Sequence, residues 1–176
     1  MAIFSSENFF PKDRFPGTDS PGDQTEPRCE IIDSQLISLG TGLLVTEAAR
    51  EIETGKDLAE IRAHIEQLIP GIRFFLIPGS PEYLRTHGWV RENRSFLQKL
   101  TRPIPVISIR EGDITVIDHV RNLKNTPELL TELIQQSMEP DMPVRAGIMH
   151  TDAPEWARSL EDLLQQGLNC QEILIT

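Results

Sequence analysis

His150 and Asp152, in the run Met149-His150-Thr151-Asp152-Ala153-Pro154, set an imidazole and a carboxylate two positions apart at the end of an apolar segment. The carboxyl end of a strand is where open α/β sheets hold ligands. A plainer reading fits the same residues: Asp152 caps the helix that Pro154 opens, and His150 hydrogen-bonds the turn. Ser34 and Ser38, with Gly40 and Gly42, form a second polar cluster. Its glycines either let backbone N–H groups face an anion near a helix N-terminus or serve chain reversal alone. No serine or cysteine has a base at readable spacing, and neither a phosphate-binding glycine loop nor a G-x-G-x-x-G run occurs. A small hydrolase built on His150 and Asp152 therefore ranks last, and neither an enzyme nor a cofactor is expected.

Metal chemistry is not expected either. His64 has Arg62 and Glu66 beside it on a charged helix and reads as surface, while His87 and His119 lack acidic or sulfur partners at ligand spacing. Cys29 and Cys170 stand far apart without a C-x-x-C pair, which supports neither a disulfide scaffold nor a zinc site and fits a reducing cytoplasm.

The elements that must position these residues begin after a Pro/Gly-rich stretch. Residues 1–28 hold Pro11, Pro16, Pro21 and Pro27 and read as a flexible tail, with Phe4, Phe9, Phe10 and Phe15 as aromatics able to dock on the body or a partner. Residues 29–176 read as one domain. A strand over Cys29–Asp33 is followed by a turn at Gly40 and Gly42 and a helix from Leu43 to Thr54. Asp57 and Glu60 form a capping box for a second helix reaching Pro70. Ile72–Ile77 reads as a buried strand, and a short helix covers Glu82–His87. Apolar runs at Ile104–Ile109 and Ile114–Val120 flank Glu111-Gly112-Asp113 and predict a β-hairpin. Thr126-Pro127-Glu128 caps and opens a helix to Pro140, and Val144–Met149 is a strand. A helix capped by Asp152 runs to Gly167, and Cys170–Ile175 closes the series as a strand. Helices alternating with short strands, plus one hairpin, give an α/β (α+β) fold: a mixed sheet with helices packed on it.

Composition limits the partners. A formal net charge of -10 with scattered basic residues leaves no footprint for phosphate backbones, so nucleic acid is excluded. No apolar run reaches the roughly 20 residues of a membrane span, and the N-terminus is not a signal peptide, so a soluble cytoplasmic protein is expected. Phe74, Leu76, Val106, Ile107, Ile109, Ile148 and Met149 are placed either to line an apolar slot or to form ordinary core.

The stretch IIDSQLISLGTGLLVTEAAREIETGKDLAEI, from Ile31 to Ile61, resembles the crossover of the DegV family: a strand ending in Asp-Ser, a Ser-x-Gly-x-Gly turn, a long helix, then Gly-Lys and another helix. Glu82-Tyr83-Leu84, the hairpin PVISIREGDITVIDHVR, the junction IMHTDAPE and the closing EILIT follow in the family's order. The resemblance implies the C-terminal part of a fatty-acid-binding protein, with the acyl tail in an apolar slot and the carboxylate held by hydroxyls and a histidine. Beside it, the residues read above for a polar turn or an apolar slot, Ser34, Ser38, Gly40, Phe74, Ile107, Met149 and His150, become candidate ligand-binding residues against the plainer structural readings, and the resemblance carries Arg121 across as facing a partner. Some members hand the acid to a kinase subunit; here Gly88-Trp89-Val90 stands where many relatives read Gly-Arg-Ile, so an arginine of that docking surface is missing. The family's opening half and its closing His-Thr-Gly-Pro-Gly segment have no counterpart in these 176 residues. Two functions follow from different classes: a fatty-acid carrier, and a non-catalytic interaction module that lost the ligand site and pairs, as a homodimer or with a partner chain, along the Ile31–Asp33 edge.

Overall fold

Caps, turn residues and apolar spacing resolve into seven strands and four α-helices among the residues described by a computed structural model of the chain, namely 2–5, 30–80, 104–120 and 122–176. Cys29, the expected helix at Glu82–His87, Gly88-Trp89-Val90 and Arg121 lie outside those residues. The chain divides into two compact units, Met1–Phe74 with Ile109–Asp113, and Phe75–Ser108 with Ile114–Thr176.

In the first unit, β1 (Ala2–Ser5) runs parallel to β2 (Glu30–Asp33), with Ala2 opposite Glu30 and Ser5 opposite Asp33. The expectation of a flexible tail over residues 1–28 thus fails at its start. Four residues of the predicted tail form a ladder along β2, and the backbone groups of that edge find partners within the chain. Helix α1 spans Ser38–Glu53, five residues earlier than expected, so Gly40 and Gly42 lie in its first turns rather than in a preceding turn. The reason is tertiary: a Cβ on Gly40 would lie 3.1 Å from Phe74 Cδ2 and 3.4 Å from Leu36 Cβ, so packing asks for glycine inside the helix. Gly55, at φ +83°, follows the helix in the left-handed region that glycine tolerates.

Helix α2 (Leu58–Leu68) starts as its capping box predicts. Asp57 Oδ1 accepts from the Ala59 and Glu60 N–H groups at 2.9 Å, and the Asp57 N–H donates to Glu60 Oε2 at 2.9 Å. The core joins Ile32 and Leu36 to Leu44 and Ala48 of α1 and Ile61 and Ile65 of α2, with Leu68, Ile69, Ile72 and Phe74 packed against it. Burying an aliphatic side chain of this size contributes about 1.5–3 kcal/mol.

Strands β3 (Phe74–Leu76), β4 (Ile104–Arg110) and β5 (Asp113–Val120) form a three-stranded sheet in that order. Glu111 at φ +51° and Gly112 at φ +78° make the two-residue turn of the predicted hairpin, and both angles have the sign a type I′ turn requires. Helix α3 (Thr126–Gln136), strand β6 (Val144–Ile148), helix α4 (Pro154–Gly167) and strand β7 (Cys170–Ile175) complete the second unit. β6 and β7 pair in parallel, as a crossover through a helix dictates. Ile148, Ala157 and Leu164 are their shared core, against which Ile134, Ala146, Leu160, Leu168, Cys170 and Ile173 pack. The α/β class and the hairpin are as expected, but in place of one mixed sheet the described residues form three small sheets.

Two predicted caps are different in detail. Thr126 does not cap α3, because the 3₁₀ turn Leu123–Asn125 feeds directly into the helix and leaves Thr126 Oγ1 buried without a hydrogen-bond partner. Asp152 does not cap α4 either: it adopts φ +54°, the helix begins after Ala153, and the Ala153 N–H donates to His150 Nδ1 at 3.3 Å.

Candidate functional site

The Ser34 cluster assembles at the β2–α1 junction. Ser34 is fully buried; its Oγ accepts from the Leu36 N–H at 3.3 Å and shares a 3.2 Å hydrogen bond with Thr41 Oγ1. Just before it, Asp33 Oδ1 accepts from the Gln35 N–H at 3.0 Å, which holds Gln35 at φ +54°. Ser38 is exposed and opens α1 at φ +53°. The N–H groups of Gly40 and Thr41 turn back to Ile37 O at 3.1 and 3.4 Å. These two donors serve the helix itself. The junction therefore holds a mutually bonded pair of hydroxyls at the start of a helix, the Ser34 one fully buried, with Gly40 pressed against the half-buried Phe74 ring.

The remaining predicted residues belong to the second unit. Ile107 is 1% exposed in β4 and is core. Met149 and His150 follow the last residue of β6, at the carboxyl ends of the parallel pair, where the His150 N–H donates to Thr176 O and the Thr176 N–H to Ile148 O. Met149 is 56% exposed, with Leu174 and Ile175 of β7 also open to solvent. His150 therefore orders the strand-to-helix turn as the plainer reading foresaw, while Met149 leaves an apolar side chain at the strand ends.

An open groove of about 510 Å³ lies at the opposite, amino ends of β6 and β7, lined by Met138, Met142 and Leu168 together with Gln135, Glu139 and Asn169. None of the predicted ligand residues lines it, and its polar walls do not match an acyl chain.

One cluster was missed. His64 Nε2 of α2 lies 3.9 Å from both Glu47 Oε1 and Glu51 Oε1 of α1. The sequence placed His64 on the surface because its neighbours on its own helix, Arg62 and Glu66, are charged and pair with each other at 2.8 Å. Its partners come from the preceding helix; the signal was the i,i+4 spacing of Glu47 and Glu51 combined with two antiparallel helices joined by a short loop. Lys56 contacts Glu51 Oε2 and holds the Glu51 carboxyl below the usual carboxylate range.

The sequence profile described as "Uncharacterised protein, DegV family" matches residues 18–176. A DegV domain-containing protein of Caldanaerobacter subterraneus subsp. tengcongensis is 29% identical over 141 residues, 80% of this chain and 50% of that protein. Among solved structures, a DegV family protein from Thermus thermophilus, described for its fatty acid binding, is 25% identical with a TM-score of 0.73, over 93% of this chain and 55% of that one. A DegV family protein from Ruminococcus gnavus, described with vaccenic acid, has a TM-score of 0.72 at 17% identity, over 86% of this chain and 54% of that one. The chain spans about half the length of the curated relatives it matches.

Proposed function

The chain belongs to the DegV family, and from that premise we propose that it binds a long-chain fatty acid. The observation that carries the reading is the agreement in fold and sequence with the Thermus thermophilus protein over 93% of this chain. As candidate ligand contacts we keep, within the first unit, Ser34, Ser38, Gly40 and Phe74, and, taken separately within the second, Met149 and His150, while Ile107 is packed as core. Phe74 and Met149 offer apolar surface to methylenes, each worth about 0.8 kcal/mol when buried. The Ser34–Thr41 hydroxyl pair near the start of α1 suits a carboxylate, whose burial without partners costs several kcal/mol. Arg121 is assigned to a partner surface, the chain to the cytoplasm, and pairing to a homodimer or a second chain that completes the carboxylate clamp. Among the described residues, no helix is long and apolar enough to cross a membrane.

Organic extraction of the purified chain, followed by mass spectrometry of free acids, tests the reading. A long-chain acid in near-equimolar amount, lost on delipidation and regained on incubation with acid, is the expected result. A chain that emerges empty and takes up no acid contradicts it and leaves the interaction module as the function.

A further inference from the structure

The two helices of the first unit bring three ligand-type atoms to one point. Glu47 and Glu51 lie one turn apart on α1, and His64 reaches them from α2; Glu47 Oε1, Glu51 Oε1 and His64 Nε2 all lie within 4.8 Å of one another. The 3.9 Å separations from the imidazole to each carboxylate exceed hydrogen-bond length, and they are equal. The imidazole nitrogen thus faces both carboxylates at once, the convergence of donor atoms that a shared ion requires. A divalent ion bonded at about 2.0–2.1 Å to three such atoms sets them about 3.4 Å apart, so the imidazole has to close on each carboxylate by about half an ångström from 3.9 Å.

The outer oxygens of the carboxylates are already held. Glu47 Oε2 accepts from Arg50 Nη1 at 3.3 Å, and Glu51 Oε2, closed off from solvent, contacts the Lys56 ammonium. Partners of this kind orient ligating carboxylates. The glutamate side chains are only 16% and 12% exposed, while His64 is 34% exposed, so the protein supplies three fixed donors and the solvent side stays open for water. One imidazole and two carboxylates are a borderline donor set, suited to Zn²⁺, Co²⁺ or Mn²⁺ rather than to Ca²⁺ or Cu⁺.

We propose that Glu47, Glu51 and His64 form a divalent transition-metal site clamping α1 to α2. The clamp does not depend on the fatty-acid reading, since none of Glu47, Glu51 and His64 is among the residues assigned to the ligand.

The full chain, stripped with EDTA, is titrated with Co²⁺ and then Zn²⁺, following visible absorption and competition with a chromogenic chelator. One equivalent of Co²⁺ is expected to give an absorption band that Zn²⁺ removes. His64→Gln and Glu51→Gln are each expected to weaken binding by more than about tenfold, the least that loss of even an outer-shell partner costs. Equal affinity in wild type and His64→Gln overturns the site. Should the variants fail to fold, Mn²⁺ line broadening in wild-type imidazole NMR decides: broadening centred on His64 supports the site, and broadening centred on His119 or His150, or none, overturns it. A His64 signal with no dependence on metal counts as overturning too.

Discussion

Gly40 shows how one residue's absent side chain sets a helix against a strand. A methyl at this position would press on Phe74 at 3.1 Å, while alanine gains about 1 kcal/mol in helix propensity. The two effects nearly cancel, so Gly40→Ala is expected to change stability little. Gly40→Val adds branches that the ring cannot evade and is expected to lose about 1–3 kcal/mol, read as a lowered urea midpoint. Ser34→Ala strands the Leu36 N–H and the Thr41 hydroxyl in a buried place and is expected to cost about 1–3 kcal/mol by the same measurement. Burial pushes the Cys170 thiol up. A raised folded value means that the favourable contribution is complete below the unfolded thiol's value of about 8.5 and is lost as pH climbs through the folded one. In Cys29→Ser protein at pH 8, Cys170 is therefore expected to react with a thiol reagent much more slowly in buffer than in denaturing urea; equal rates contradict the assignment. At this scale the sequence was partly readable. The hydroxyl at Ser34 and the imidazole at His150 were singled out correctly as polar groups at strand ends, but their partners were not visible. His150 takes the Ala153 N–H that Asp152 was expected to take, because Asp152 adopts a left-handed conformation that no spacing rule announces.

The capping box of α2 and the Glu111-Gly112 turn matched their expectations, while the caps at Thr126 and Asp152, the start of α1 and strand β1 did not. The Asp57 capping box needs only three neighbouring residues, and it starts α2 where expected. Asp57→Ala is expected to cost about 1 kcal/mol in thermal or urea unfolding. The Glu111-Gly112 hairpin is equally local: two positive φ angles in a two-residue turn. Glu111 holds +51°, which asparagine tolerates better, so Glu111→Asn is expected to raise stability by several tenths of a kcal/mol. Gly112→Val should lower it by more than about 1 kcal/mol. The start of α1 was misplaced by five residues because two glycines so close together read as a break, whereas here Gly40 answers to Phe74, 34 positions along the chain. Strand β1 was missed for a similar reason. Ala2–Ser5 is short and flanked by polar, proline-rich sequence, and only its ladder with β2 makes it a strand.

At the scale of the molecule, the family and its α/β architecture were legible in five ordered blocks of sequence, and the profile match over 18–176 agrees with them. Which residues meet a ligand was not legible, and the chain spans about half of its relatives' length. The polar groove beside Met142 and Asn169 does not suit an acyl ligand. Calorimetric titration of the delipidated full chain with palmitic acid, below its aggregation threshold and at several temperatures, tests the central claim most directly. The account predicts a saturable isotherm near one acid per chain with a negative heat-capacity change, the mark of apolar surface leaving water. A flat isotherm from a folded chain, at every temperature, would contradict it.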